Sequence, residues 1–180
     1  APPGAPVSPA DANRARASGA VPWVHPLGSA KHRLSSPYGE RFDPYFKKTH
    51  RHNGQDLAVA KGTPVYAVAD GRVDQAWDAQ PDGKKYPNGN ALKIGHTGGI
   101  STAYLHLDSK AVRTGDAVKR GQLIGRVGST GASTGPHLHF MVYRGTAHTD
   151  PAPFLAATGG PPAIAGFPLG EAPACLPFLS

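Results

Sequence analysis

The chain has 180 residues, enough for one domain with a core of its own. Its single cysteine, Cys175, excludes an internal disulfide and a cysteine-built zinc site, and no run approaches the ~20 apolar residues a membrane-crossing helix needs. The net charge of +7 suits an anionic polymer (nucleic acid, acidic membrane or bacterial wall) or a plainly basic surface, but no nucleic-acid-binding signature and no basic amphipathic helix accompanies it.

Proline and charge divide the chain. Six of the 19 prolines fall in residues 1–26 and seven in residues 151–180, whereas 17 Lys/Arg and 10 Asp/Glu lie within residues 27–155. Pro-rich, nearly uncharged ends cannot bury a core. Residues 1–23 are therefore expected to be an arm or linker, 24–155 the folded unit and 156–180 a Pro/Gly-rich tail.

Within the folded unit the first cluster is "THRHNGQD", residues 49–56, where His52 and Asp56 stand three residues apart with Gly54 between them for the backbone to turn. "TPVYAVA" and "GRVDQAW" follow, and the Asp70-Gly71 pair between them predicts a hairpin. After a polar loop at residues 81–90, "ALKIGH" and "ISTAYLHL" flank a turn at Thr97 to Gly99, and the second strand carries His106 near its end. "QLIGRVG" leads through the small-residue loop "STGASTGP" to "HLHFMVYR". Strand side chains alternate, so His137 and His139 share one face and Leu138 and Phe140 the other. No window supports a helix of three turns. The expected class is mainly β, with antiparallel pairing imposed by tight turns.

Each histidine feature taken singly has an ordinary explanation. H-x3-D is commonly a surface pair, H-x-H the polar side of a strand, and His106 a hydrogen-bonded core residue. Together they supply a histidine, a carboxylate and a distant histidine, the nitrogen and oxygen donors zinc accepts, with a fourth position left for water as in catalytic sites.

"HRHNGQD", "AYLHL" and "GSTGASTGPHLHF" resemble the motifs of the lysostaphin/LytM-type zinc metallopeptidases, which cut peptides of bacterial peptidoglycan. "SSPYGERFDP", "GTPVYAVADGRV" and "VKRGQLIGRVGSTG" match as well, so the resemblance covers about Leu34 to Phe154. It implies antiparallel β-sheets forming a groove, a duplicated-hybrid-motif-like architecture, between the Pro-rich non-globular arms that composition places at both ends. It also implies one zinc held by His52, Asp56 and His139, with His106 and His137 as the unligated catalytic pair. No glutamate stands in an H-E-x-x-H arrangement, so histidine would do the acid–base work. Some relatives use a tyrosine upstream of the first ligand, for which Tyr45 is the candidate.

The sequence also admits two rival readings. A wall-binding or hydrolase-activating protein on the same fold would lack ligands that this chain keeps. A lipoyl- or biotinyl-type carrier, suggested by "TGDAVKRGQLIGRV", would need a modifiable lysine beside methionine, and the only methionine is Met141. The expectation is a monomeric zinc endopeptidase acting on peptidoglycan in the bacterial envelope (periplasm) or secreted, of host or phage origin. The directly bonded D,D cross-link is favoured over a glycine bridge because no wall-targeting unit follows residue 155.

Overall fold

The computed structural model describes residues 23–43, 47–79, 88–131, 133–156 and 158. The two Pro-rich ends fall almost wholly outside them, as do Tyr45, Cys175 and most of the 81–90 loop.

The organising strand is β11, "HLHFMVYR" at His137–Arg144. Its alternation is as the sequence predicts. Leu138, Phe140 and Val142 are fully buried in the main core, while His139 and Met141 lie on the opposite face. β11 is flanked by β4 (Gln55–Ala58) and β8 (Ile100–Lys110), and His139 stands opposite Asp56 on one side and Leu105 on the other. Beyond β4 lies β1 (Arg33–Ser36). Beyond β8 lie β7 (Asn90–Gly95), β6 (Gly71–Trp77) and the short β9 (Ala117–Val118), so the order is β1-β4-β11-β8-β7-β6-β9. β10 (Leu123–Val127) pairs with β8 and with β5 (Pro64–Tyr66), and β12 (Ala147–Thr149) with β11. All these pairings are antiparallel. A separate hairpin joins β2 (Gly39–Asp43) to β3 (Lys48–His52), and its last residue is His52. The described α-helix is one short segment, α1 (Ala152–Ala156).

The expected β7–β8 hairpin forms around the 3₁₀ turn Thr97–Gly99. The Asp70-Gly71 hairpin does not: β5 and β6 each pair elsewhere. The connecting Ala67 and Val68 are fully buried, and their backbone is tied to Gln122 and Val24. Asp70 instead uses its carboxylate to accept the Arg120 N–H (2.7 Å) and its carbonyl to accept from His96 (2.8 Å). Gly71 is needed for contact: a Cβ there would lie 2.3 Å from the Gly95 carbonyl oxygen.

The first described residues close the core. Trp23 stacks on Phe154 at 4.5 Å, and Val24 and Leu27 are buried.

Candidate metal centre

The face of β11 opposite the core carries the site. β4 brings Asp56 beside His139, and the end of β3 brings His52 to the other side of the same carboxylate. Asp56 Oδ1 lies 2.7 Å from His139 Nδ1, and Oδ2 lies 3.3 Å from His52 Nε2. The tight passage from β3 to β4 depends on Gly54 through close approach, since a Cβ there would sit 2.5 Å from the Phe140 carbonyl oxygen and 2.9 Å from His139 Nε2.

The hydrogen-bond partners fix which nitrogen of each ring is left over. A carbonyl oxygen only accepts, so a ring nitrogen facing one carries the proton. His52 Nδ1–H donates to the Pro37 carbonyl (2.8 Å), and His137 Nδ1–H to the Gly135 carbonyl (2.8 Å). Their Nε2 lone pairs therefore face Asp56, at 3.3 and 3.6 Å. His139 Nε2 lies 3.1 Å from Asn53 Oδ1, and donation there turns the Nδ1 lone pair toward Asp56 Oδ1. Neutral imidazoles would thus aim lone pairs at a carboxylate, an arrangement that calls for a cation or extra protons between them. Burial favours the neutral acid in Asp56, but with protons in place of a cation on the facing nitrogens, hydrogen bonds from His139 and His52 outweigh it and hold the carboxyl well below the usual range. His52 is pulled the other way: burial lowers its pKa, and the Asp56 and Pro37 hydrogen bonds more than restore it, for a net rise. One donor atom from each of His52, Asp56 and His139 can be chosen so that all three lie within 4.8 Å of one another, a group that could hold a metal ion.

His106 reaches the site by a break in strand alternation. Thr102 and Tyr104 of β8 face the core and Ala103 and Leu105 the other side, which by parity would send His106 into the core. It adopts φ +63° instead, with register shifts in the flanking pairings, and the strand resumes with Leu107 in the core. Such a left-handed residue costs about 1–2 kcal/mol and concentrates at functional sites. The ring lies 4.9 Å from that of His137 and 6.0 Å from that of His139. Burial pushes the His106 pKa down to about 4, so the ring is neutral at pH 7. Its Nδ1–H donates to the Thr130 carbonyl (2.7 Å), which leaves Nε2 as an unprotonated base.

All five histidine and carboxylate positions singled out in the sequence therefore converge. Sequence reasoning missed the orienting groups. The small-residue loop between β10 and β11 supplies the carbonyls of Thr130 and Gly135 that set the tautomers of His106 and His137, and Ser133 Oγ adds a contact to His137 Nδ1 at 3.2 Å. Asn53 is the other omission. Its only sequence signal is adjacency to His52.

Residues 50–151 match the description of peptidase family M23. The chain belongs to that family. Among curated relatives, this M23 domain is 44% identical over 108 residues to the DD-carboxypeptidase/endopeptidase Mpg of Neisseria meningitidis, covering 60% of this chain and 24% of that one. It is 40% identical over 114 residues to the glycyl-glycine endopeptidase ALE-1 of Staphylococcus capitis, covering 60% and 30%. A zinc-containing peptidase from Vibrio cholerae superposes with a TM-score of 0.61 at 35% identity, covering 78% of this chain and 40% of that one. The chain spans about a quarter to a third of the length of these curated relatives. Family membership and the antiparallel β architecture shared with the Vibrio cholerae structure are as the motifs led one to expect. Among the described residues no helix is long and apolar enough to cross a membrane.

Proposed function

We propose that residues 24–155 form a zinc-dependent endopeptidase domain that hydrolyses peptide bonds of bacterial peptidoglycan, at the cell envelope or after secretion. The observation that carries this reading is the set of imidazole lone pairs converging on the Asp56 carboxylate, in a chain whose M23 match spans all of them. The donor set fits zinc: two imidazole nitrogens and a carboxylate oxygen from His52, His139 and Asp56, close enough to share one ion and with no thiolate. Bound there, zinc would polarise the scissile carbonyl and lower the pKa of a water toward about 7.

The remaining work falls to the chain. His106 Nε2, unprotonated at neutral pH, takes a proton from the attacking water. His137 is held by Gly135 with its Nε2 lone pair toward the site, where it accepts a hydrogen bond from the attacking water and orients it, and the proton taken up by His106 passes to the leaving amine. Asn53 keeps the His139 proton on Nε2 and so frees Nδ1 for the metal.

The bond we assign is the direct D,D cross-link, supported by the higher identity to Mpg than to the glycyl-glycine enzyme. Incubation with directly cross-linked muropeptides and with oligoglycine, before and after chelation and zinc reloading, tests both parts by mass spectrometry. Cross-linked dimers should fall to monomers only when zinc is present. Cleavage of oligoglycine alone would overturn the bond assignment, and cleavage unaffected by chelation would overturn zinc dependence.

A further inference from the structure

The sheet face that carries His139 continues away from the metal centre as an apolar strip. Met141 stands opposite Ala103 on β8, which stands opposite Lys93 on β7, which stands opposite Gln75 on β6. Ala91, Ala103, Leu105 and Met141 are buried in it, with Trp77 and Tyr143 packed on top. The Tyr143 hydroxyl donates to Met141 Sδ at 3.7 Å, which lays the ring back along β11 in the direction of His139. Lys93 Nζ sits over that ring, 4.4 Å from its centroid.

This ammonium differs from its neighbours. Lys110 is paired with Asp78 and Lys61 with Asp108, whereas Lys93 has no carboxylate partner among the described residues. It is half-buried, and a cation on an aromatic face presents its ammonium to whatever enters the strip. Two residues along β11 and two strands across separate the Lys93 backbone from that of His139, about 12 Å at ~3.4 Å per residue and ~4.8 Å per strand. An extended peptide whose scissile bond lies at the metal centre covers that distance in three to four residues at ~3.3 Å each.

We propose that Lys93, held over Tyr143, is the subsite for a free carboxylate on the peptide substrate. This rests on the peptidase reading and adds a substrate class: stems whose carboxylates are free, not amidated. The subsite sets affinity without touching the reacting atoms, so its effect falls on KM.

The test compares a directly cross-linked muropeptide bearing free stem carboxylates with the same muropeptide amidated. Wild-type protein should show a KM about three- to tenfold lower for the free form, the range expected of a partly exposed charge pair. Lys93→Met should erase that preference and Lys93→Arg should keep it, with thermal midpoints confirming that both variants fold. A preference that persists in Lys93→Met, or wild-type protein that treats both forms alike, would overturn the subsite. If wild-type protein cleaves neither form, the peptidase reading fails. Calorimetric Kd values for the same two muropeptides then decide the subsite on the same comparison.

Discussion

Two groups of buried or half-buried histidines in this domain answer burial in opposite ways. On the core side, His96 has both nitrogens engaged by the protein. Nδ1–H donates to the Asp70 carbonyl (2.8 Å), and Nε2 meets Thr102 Oγ1 (2.9 Å), itself hydrogen-bonded to the fully buried Tyr104 hydroxyl. His25 accepts the Leu27 N–H at Nδ1 (3.1 Å) and stacks on His32 at 4.6 Å. The His96 ring is a strut that ties loops to β8, and the His25 ring packs within the segment ahead of β1. On the β11 side, His52, His106 and His137 each spend one nitrogen on a backbone carbonyl and leave the other without a donor. Burial is common to both groups, so burial does not mark function. The nitrogen left over does.

The comparison breaks most sharply at the proposed catalytic pair. His106→Ala and His137→Ala should each lower turnover by about 10²–10⁴-fold while leaving one zinc bound. Loss of metal in either variant would move that histidine from acid–base catalysis into the ligand set. Next in size is Asn53→Ala. Outer partners of metal-bound histidines are typically worth about 10- to 100-fold in affinity, so competition with a chelator should show weaker zinc binding by that factor. Unchanged affinity would remove Asn53 from the site.

On the strut side, His96→Leu should leave zinc content intact but destabilise the fold by about 1–3 kcal/mol. It removes the partner of Thr102 Oγ1 in the buried Thr102–Tyr104 hydroxyl pair. Chemical denaturation measures this, and a neutral result would deny the strut role. A further effect is in pH. Burial lowers His25 from 6.5 to about 3, with the nearby His32 adding to the shift. Its unfolded form therefore takes up a proton before its folded form does. The His25 contribution is complete above pH 6.5 and declines as pH falls toward about 3. The stability difference between wild type and His25→Gln should shrink across that window, and a constant difference would contradict the shift.

What the sequence made legible followed from local periodicity. "HLHFMVYR" alternates with period two, and that alone places His139 opposite the core-facing Leu138 and Phe140. The motif resemblance then identified five positions that the fold brings together. What stayed illegible depends on contacts distant in sequence. His106 faces the site only because a left-handed residue interrupts β8, and nothing in "AYLHL" announces that break. The sequence suggests a turn at Gly54, but its requirement comes from β11 passing behind it. Asp70-Gly71 carries a hairpin signal, yet both residues serve distant partners, Arg120, His96 and Gly95. Tyr45 and the arms lie outside the described residues, so those expectations stand as they were made.

The central claim is that leftover lone pairs, not buried imidazoles as such, make the metal centre, and metal analysis of three proteins tests it most directly. After zinc loading and desalting, wild type and His96→Leu should each retain one zinc per chain, and His139→Ala almost none. Full occupancy in His139→Ala, or zinc lost from His96→Leu while it folds, would contradict the account.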